Sequence, residues 1–115
     1  MPVNTISSTE VTKNITPVNI VPVDCTLTNK YDWPKDIAYA TCMAESKGNI
    51  NAVGDVNTKY VSCGLMQIRT LPGRPTCEEL KNPEFNMEYA YRLYKAHGFQ
   101  PWSAFKNKSY LEYMR

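Results

Sequence analysis

Glu45 is the residue whose type and position best suit chemistry. It follows Ala38, Thr41 and Cys42 at spacings of seven, four and three. A helix rotates by about 100° per residue, so these positions would share one face. That face is otherwise apolar or weakly polar, and Gly48 stands just beyond Glu45 to end the helix. Burial disfavours a carboxylate, and so do the unpaired carbonyls of a helix C-terminus. Both raise the carboxyl pKa. A carboxyl that keeps its proton near neutral pH can serve as a general acid. Glycosidic cleavage needs such a group, because the leaving oxygen must be protonated. Periodicity alone does not single Glu45 out, since a glutamate near a helix end is most often a solvated surface residue.

The elements that would position Glu45 can be read from caps and periodicity. Asp32 is a candidate N-cap and Pro34 suits a first helical turn, so a helix is predicted over 35–46 with Ile37, Ala38, Thr41 and Ala44 as its stripe. Gly54, Asp55 and Asn57, with Tyr60 and Val61 nearby, predict turns and one or two short strands over 49–62. The apolar segment 64–69 is expected to be a short helix. Pro72, Gly73 and Pro75 make a loop, and a second short helix is expected over 77–81. The clearest helix starts at the Asn82 cap, with Pro83 at its first position and Glu84 at the positive end of its dipole. Its expected stripe is Phe85, Tyr89, Ala90, Leu93 and Tyr94, and Gly98 closes it. A last helical segment is expected between Trp102 and Met114, with Trp102 as core. The fold class is therefore α+β, mostly helical, with a small irregular β region.

The chain of 115 residues is enough for one domain. Residues 1–30 are rich in Val, Thr, Asn, Ser and Pro and lack a helical period, so they are expected to form an extended linker or tail. The domain proper is expected over 31–115. A net charge of +2 is too small a bias to argue for nucleic acid. No apolar stretch is long enough to span a membrane. No basic-then-apolar leader opens the chain. Export would then depend on a leader already removed, a longer precursor, or release by host lysis.

Cys25, Cys42, Cys63 and Cys77 form no CxxC, and His97 is the single histidine. A zinc site is not expected. An even count of cysteines in a short chain suggests two disulfides and an oxidising compartment. Four buried free thiols are the alternative. Of the three possible pairings, Cys63 with Cys77 closes a short loop and is preferred, which leaves Cys25 with Cys42.

Several groups of letters add to Glu45. Glu45-Ser46-Lys47-Gly48-Asn49 is followed by Asn51-Ala52-Val53-Gly54-Asp55 and then by Gly64-Leu65-Met66-Gln67-Ile68. Asn82-Pro83 with Asn86, and Gly98 with Pro101-Trp102-Ser103, come later in the same order. Together they resemble the lytic transglycosylase and goose-type lysozyme-like superfamily, over roughly residues 33–105. The resemblance implies a lysozyme-like fold with Glu45 as the single essential acid and then base. It implies cleavage between N-acetylmuramic acid and N-acetylglucosamine in peptidoglycan. Ser46 matches the serine beside that acid and either bonds near an N-acetyl group or caps the helix end. Gly64, Met66 and Gln67 match the cleft-wall motif as substrate-binding positions. Gly64 would admit close backbone approach to a sugar, and Gln67 offers a donor and an acceptor to hydroxyls. The side chains of Leu65, Met66 and Ile68 read physically as core.

Asp55 falls in the turn or strand that faces the acid in this superfamily. It either orients a water for hydrolysis with inversion or stabilises its own turn, as Asp beside Gly does. Tyr60 lies in the turn-rich stretch expected to line the cleft and is the candidate for stacking on a sugar ring. One departure stands out. The late Ala-Tyr-Asn segment of transglycosylases is replaced by Ser103-Ala104-Phe105-Lys106-Asn107, which lacks the tyrosine. That absence and Asp55 tilt the expectation from a lytic product toward hydrolysis. The alternative class is a non-catalytic peptidoglycan- or chitin-binding module of the same fold. No cofactor or metal is expected, because the acid and the substrate's N-acetyl group supply the chemistry. The expected partner is the peptidoglycan glycan strand, met by a monomer that acts alone or within a larger wall-acting or phage protein. The expected location is outside the cytoplasm: secreted, wall-associated or phage-delivered.

Overall fold

A computed structural model describes residues 24–114. The tail expected before Asp24 lies outside the described residues. The expected domain start at Tyr31 is too late. A 3-10 helix, Cys25–Lys30, precedes it and buries Cys25, Leu27 and Thr28. Asp24 caps this helix by accepting from Thr26 N at 2.9 Å and Thr26 Oγ1 at 2.6 Å. The Thr28 carbonyl accepts the indole N–H of Trp33 at 2.7 Å. A disulfide from Cys25 to Cys42 fastens the segment to the next helix. A single 3-10 element of this length is too short to show a sequence period.

Helix α1, Lys35–Ser46, runs where predicted and passes through the middle of the molecule. Ala38, Ala40, Thr41, Cys42 and Ser46 are its buried positions, small enough to let neighbouring elements approach closely. Pro34 takes the N-cap position, and Asp32 makes no side-chain cap. The helix stops because Lys47 and Gly48 both adopt positive φ, 55° and 83°.

Three two-residue strands follow: β1 Val53–Gly54, β2 Ser62–Cys63 and β3 Ile68–Arg69. They form an antiparallel sheet in that order. Val53 stands opposite Cys63, Gly54 opposite Ser62, Ser62 opposite Arg69 and Cys63 opposite Ile68. The short helix expected over 64–69 does not form. Residues 64–67 are instead the tight turn joining β2 to β3, with φ of 82° at Gly64 and 48° at Gln67. Left-handed backbone at two positions rules out a right-handed helix there.

Helix α2, Cys77–Leu80, carries a capping box between Thr76 and Glu79. Cys77 is disulfide-bonded to Cys63, which ties α2 to the sheet. Helix α3, Pro83–His97, has the predicted Asn82 cap and the predicted Gly98 stop. Of its expected stripe, Ala90 is buried and Tyr89, Leu93 and Tyr94 pack against the core, whereas Phe85 is 39% exposed and Asn86 and Met87 are buried in addition. Hydrogen bonds explain the burial of Asn86. Its side-chain nitrogen donates to the Cys63 carbonyl at 2.9 Å and the Leu80 carbonyl at 3.0 Å, and its oxygen accepts from Met66 N at 2.9 Å. A fully buried amide is tolerated because these three bonds satisfy it. The segment after Trp102 breaks into α4, Ser103–Lys106, and a second 3-10 helix, Ser109–Tyr113. Lys108, with φ of 69°, separates the two. Trp102 is core as read, and its indole N–H donates to the Met66 carbonyl at 2.7 Å. Among the described residues no helix is long and apolar enough to cross a membrane.

Candidate active site

The last turn of α1, the sheet, and the start of α4 converge on a cleft of about 250 Å³. Glu45 enters from α1 and Asp55 from the loop after β1. Gln67 comes from the β2–β3 turn, and Trp102 lies at the foot of α4. The termination of α1 one residue beyond Glu45 brings the carboxyl to an open end of the core and not to its middle.

Glu45 is half-buried. Burial pushes its carboxyl above the ordinary glutamate range, and the backbone N–H of Ala104 partly opposes this by donating to Oε2 at 3.2 Å. The negative charge of Asp55 across the cleft adds a smaller upward push. The carboxyl therefore keeps its proton to a higher pH than an ordinary glutamate does.

Asp55 adopts a left-handed backbone, φ 54°, which aspartate tolerates better than most residues. Its side chain does not bond within its own turn. Oδ2 accepts from the Ser62 hydroxyl, across the mouth of the loop joining β1 to β2. Sequence reasoning missed Ser62, which is buried and lines the same cleft. Only the pairing of Gly54 with Ser62 brings its hydroxyl to Asp55.

Gln67 lines the cleft with its amide nitrogen already committed, donating to the Ala52 and Gly64 carbonyls at 3.0 Å each. Its oxygen packs against Gly54, where a Cβ would collide with it. Gly54 is therefore the glycine whose missing side chain makes room at the site. The oxygen remains an acceptor, so Gln67 offers a bound ligand less than the donor-and-acceptor pair expected.

The remaining expected contacts lie elsewhere. Met66 is 0% exposed and belongs to the core with Leu65 and Ile68, so its side chain cannot reach a ligand in the cleft. Gly64 is also buried. A Cβ there would strike the Asn86 amide and the Leu80 carbonyl, so packing requires the glycine, not approach to a sugar. Ser46 spends its hydroxyl on the helix end, donating to the Cys42 carbonyl at 3.2 Å and accepting from Gly48 N at 3.1 Å. Of its two possible roles, this is the cap. Tyr60 does not line the cleft; its carbonyl accepts from Arg69 Nε at 3.0 Å. Through that bond Tyr60 positions Arg69, which does line it. Arg69, Arg74 and Lys106 all line the cleft. Sequence reasoning missed them because they come from separate segments and form no motif. Among the described residues no three His, Cys, Asp or Glu side chains cluster as a metal site would require.

A glutamate at the end of a buried helix, facing a small antiparallel sheet across a cleft, is the arrangement of a lysozyme-like fold. The chain belongs to the lysozyme-like domain family, whose model matches residues 34–104. The match opens at the N-cap of α1 and closes at Ala104, the residue whose N–H holds Glu45. No curated protein matched the chain, and no solved structure did.

Proposed function

We propose that this chain is a muramidase that cleaves peptidoglycan glycan strands between N-acetylmuramic acid and N-acetylglucosamine. The observation that carries the reading is Glu45, half-buried in a cleft with its carboxyl pKa raised by burial and by Asp55. The Ala104 N–H donates to Oε2, which favours the proton on Oε1. That proton passes to the bridging oxygen as the sugar C1–O bond breaks. Asp55 has one oxygen held by Ser62 and the other available to orient a water. The water attacks C1 from the opposite face and yields its proton to Asp55, giving hydrolysis with inversion. Solvent exchange then restores both carboxyl groups. The two disulfides fit an oxidising compartment, and we place the site of action at the bacterial wall, reached by secretion or by phage delivery.

Mass spectrometry of fragments released from purified peptidoglycan tests this. Muropeptides with reducing ends are expected. Anhydro ends would assign the attack to the substrate's own hydroxyl and leave Asp55 as a loop-closing residue. Wall binding without any fragments would favour the binding-module reading.

A further inference from the structure

We propose that Arg69, Arg74 and Lys106 form a carboxylate-binding subsite of this cleft, selecting glycan strands that carry muramoyl carboxylates or peptide stems over neutral N-acetylglucosamine polymers. The inference rests on the muramidase reading and names the residues that would set its substrate. Three cations share the lining with two carboxyl groups, Glu45 and Asp55. The lining is therefore net positive whichever protonation state Glu45 holds. Among the described residues none of the three cations is ion-paired.

Their arrangement leaves the charged ends free for a ligand. Arg69 donates Nε to the Tyr60 carbonyl at 3.0 Å, which fixes the side chain and leaves its two terminal nitrogens. Those nitrogens form a fork that fits a carboxylate with two parallel bonds. Arg74 donates one terminal nitrogen to the Arg69 carbonyl at 3.4 Å, so its guanidinium lies beside the β3 backbone. Lys106 comes from α4 and brings a third positive charge to the lining from a separate element. Three cations against two carboxyl groups leave an excess of positive charge in the cleft that a bound anion would offset. A neutral glycan supplies no anion. Peptidoglycan supplies anions as the carboxylates of its peptide stems and, wherever a stem is absent, as the free lactyl carboxylate of muramic acid.

The test measures binding of the full chain carrying Glu45→Gln to insoluble peptidoglycan freed of teichoic acids. Native material is compared with material whose carboxyls have been converted to N-methylamides. The native material should bind about tenfold more tightly, the scale of one charge-assisted hydrogen bond. Adding Arg69→Gln, Arg74→Gln and Lys106→Gln should weaken binding to native peptidoglycan by a similar factor and remove the effect of amidation. Strands stripped of stems by an amidase separate the two sources. The amidase frees one lactyl carboxylate for each stem it removes, so retained affinity shows that this carboxylate is sufficient, and lost affinity assigns the stem. Equal binding to native and amidated material would overturn the proposal, as would a triple variant that stays equally sensitive to amidation. Amidation alters no residue of the protein, so this comparison stands even where a variant folds poorly. Failure of the muramidase reading looks different: wild-type protein would release no fragments even with the binding difference intact.

Discussion

At the scale of single residues, the site turns on a carboxyl held away from water. The raised pKa of Glu45 has a consequence for stability that can be measured apart from any activity. Its folded pKa lies above its unfolded value. The folded state therefore binds the proton more tightly, and that contribution is fully present below the unfolded pKa. It is lost as pH rises through the folded pKa, so at neutral pH the ionisable side chain burdens the fold. Glu45→Gln keeps the shape and an oxygen to accept the Ala104 N–H, and it removes the titration. The variant should melt at the same temperature as wild type or higher at pH 7, and its advantage should shrink as pH falls through the normal glutamate range. Thermal melts across that range check this. A variant that is relatively most stable in acid and least stable at pH 7 would contradict the burial account. The position of Glu45 was legible from its spacing to Ala38 and Thr41. The Ala104 bond was not, because it joins residues 59 apart in the chain.

At the scale of elements, Asn86 holds the cleft wall to the helical body. It bonds a carbonyl of β2, a carbonyl of α2 and the N–H of Met66 in the β2–β3 turn. Asn86→Ala would leave all three groups buried without that partner, at about 1–3 kcal/mol for each group left unsatisfied. A loss of about 3 kcal/mol or more is expected in denaturant unfolding. A loss near the cost of a surface substitution would show that the network is not what fixes the turn. The same turn marks where sequence reasoning ran out. The run Gly64-Leu65-Met66-Gln67-Ile68 is apolar and short, and period alone does not separate a buried helical turn from the corner of a hairpin. Contacts with Asn86 decide it, and these come from a helix nearly twenty residues later. By contrast, α1 and α3 were legible to the residue because Gly48, Asn82, Pro83 and Gly98 punctuate long periodic segments. The stripe of α3 was legible at Tyr89, Ala90, Leu93 and Tyr94 and failed at its start, because a buried Asn86 is unexpected at a core position, whereas Phe85 looks apolar in sequence and is exposed in the fold.

At the scale of the whole molecule, two disulfides staple the elements that carry the cleft. One disulfide fixes the first 3-10 helix to α1, which carries Glu45, and the other fixes α2 to β2, which carries Ser62, the partner of Asp55. A chain starting at Tyr31, the boundary that composition suggested, would lose Cys25 and the burial of Leu27 and would leave Cys42 unpaired. A loss of about 2–5 kcal/mol is expected from the disulfide alone, and a chain starting at Asp24 should be spared that loss. Unchanged melting of the shorter chain would show that the 3-10 helix contributes nothing. The central claim remains Glu45 as proton donor, and the most direct measurement is fragment release from purified peptidoglycan by wild type and Glu45→Gln over a range of pH. General acid catalysis is worth about a hundred- to ten-thousand-fold in rate, so the variant should be slower by at least about a hundredfold. The wild-type rate should fall as pH rises through the raised pKa of Glu45, because the ionised form has no proton to give. Full activity in Glu45→Gln would contradict the account.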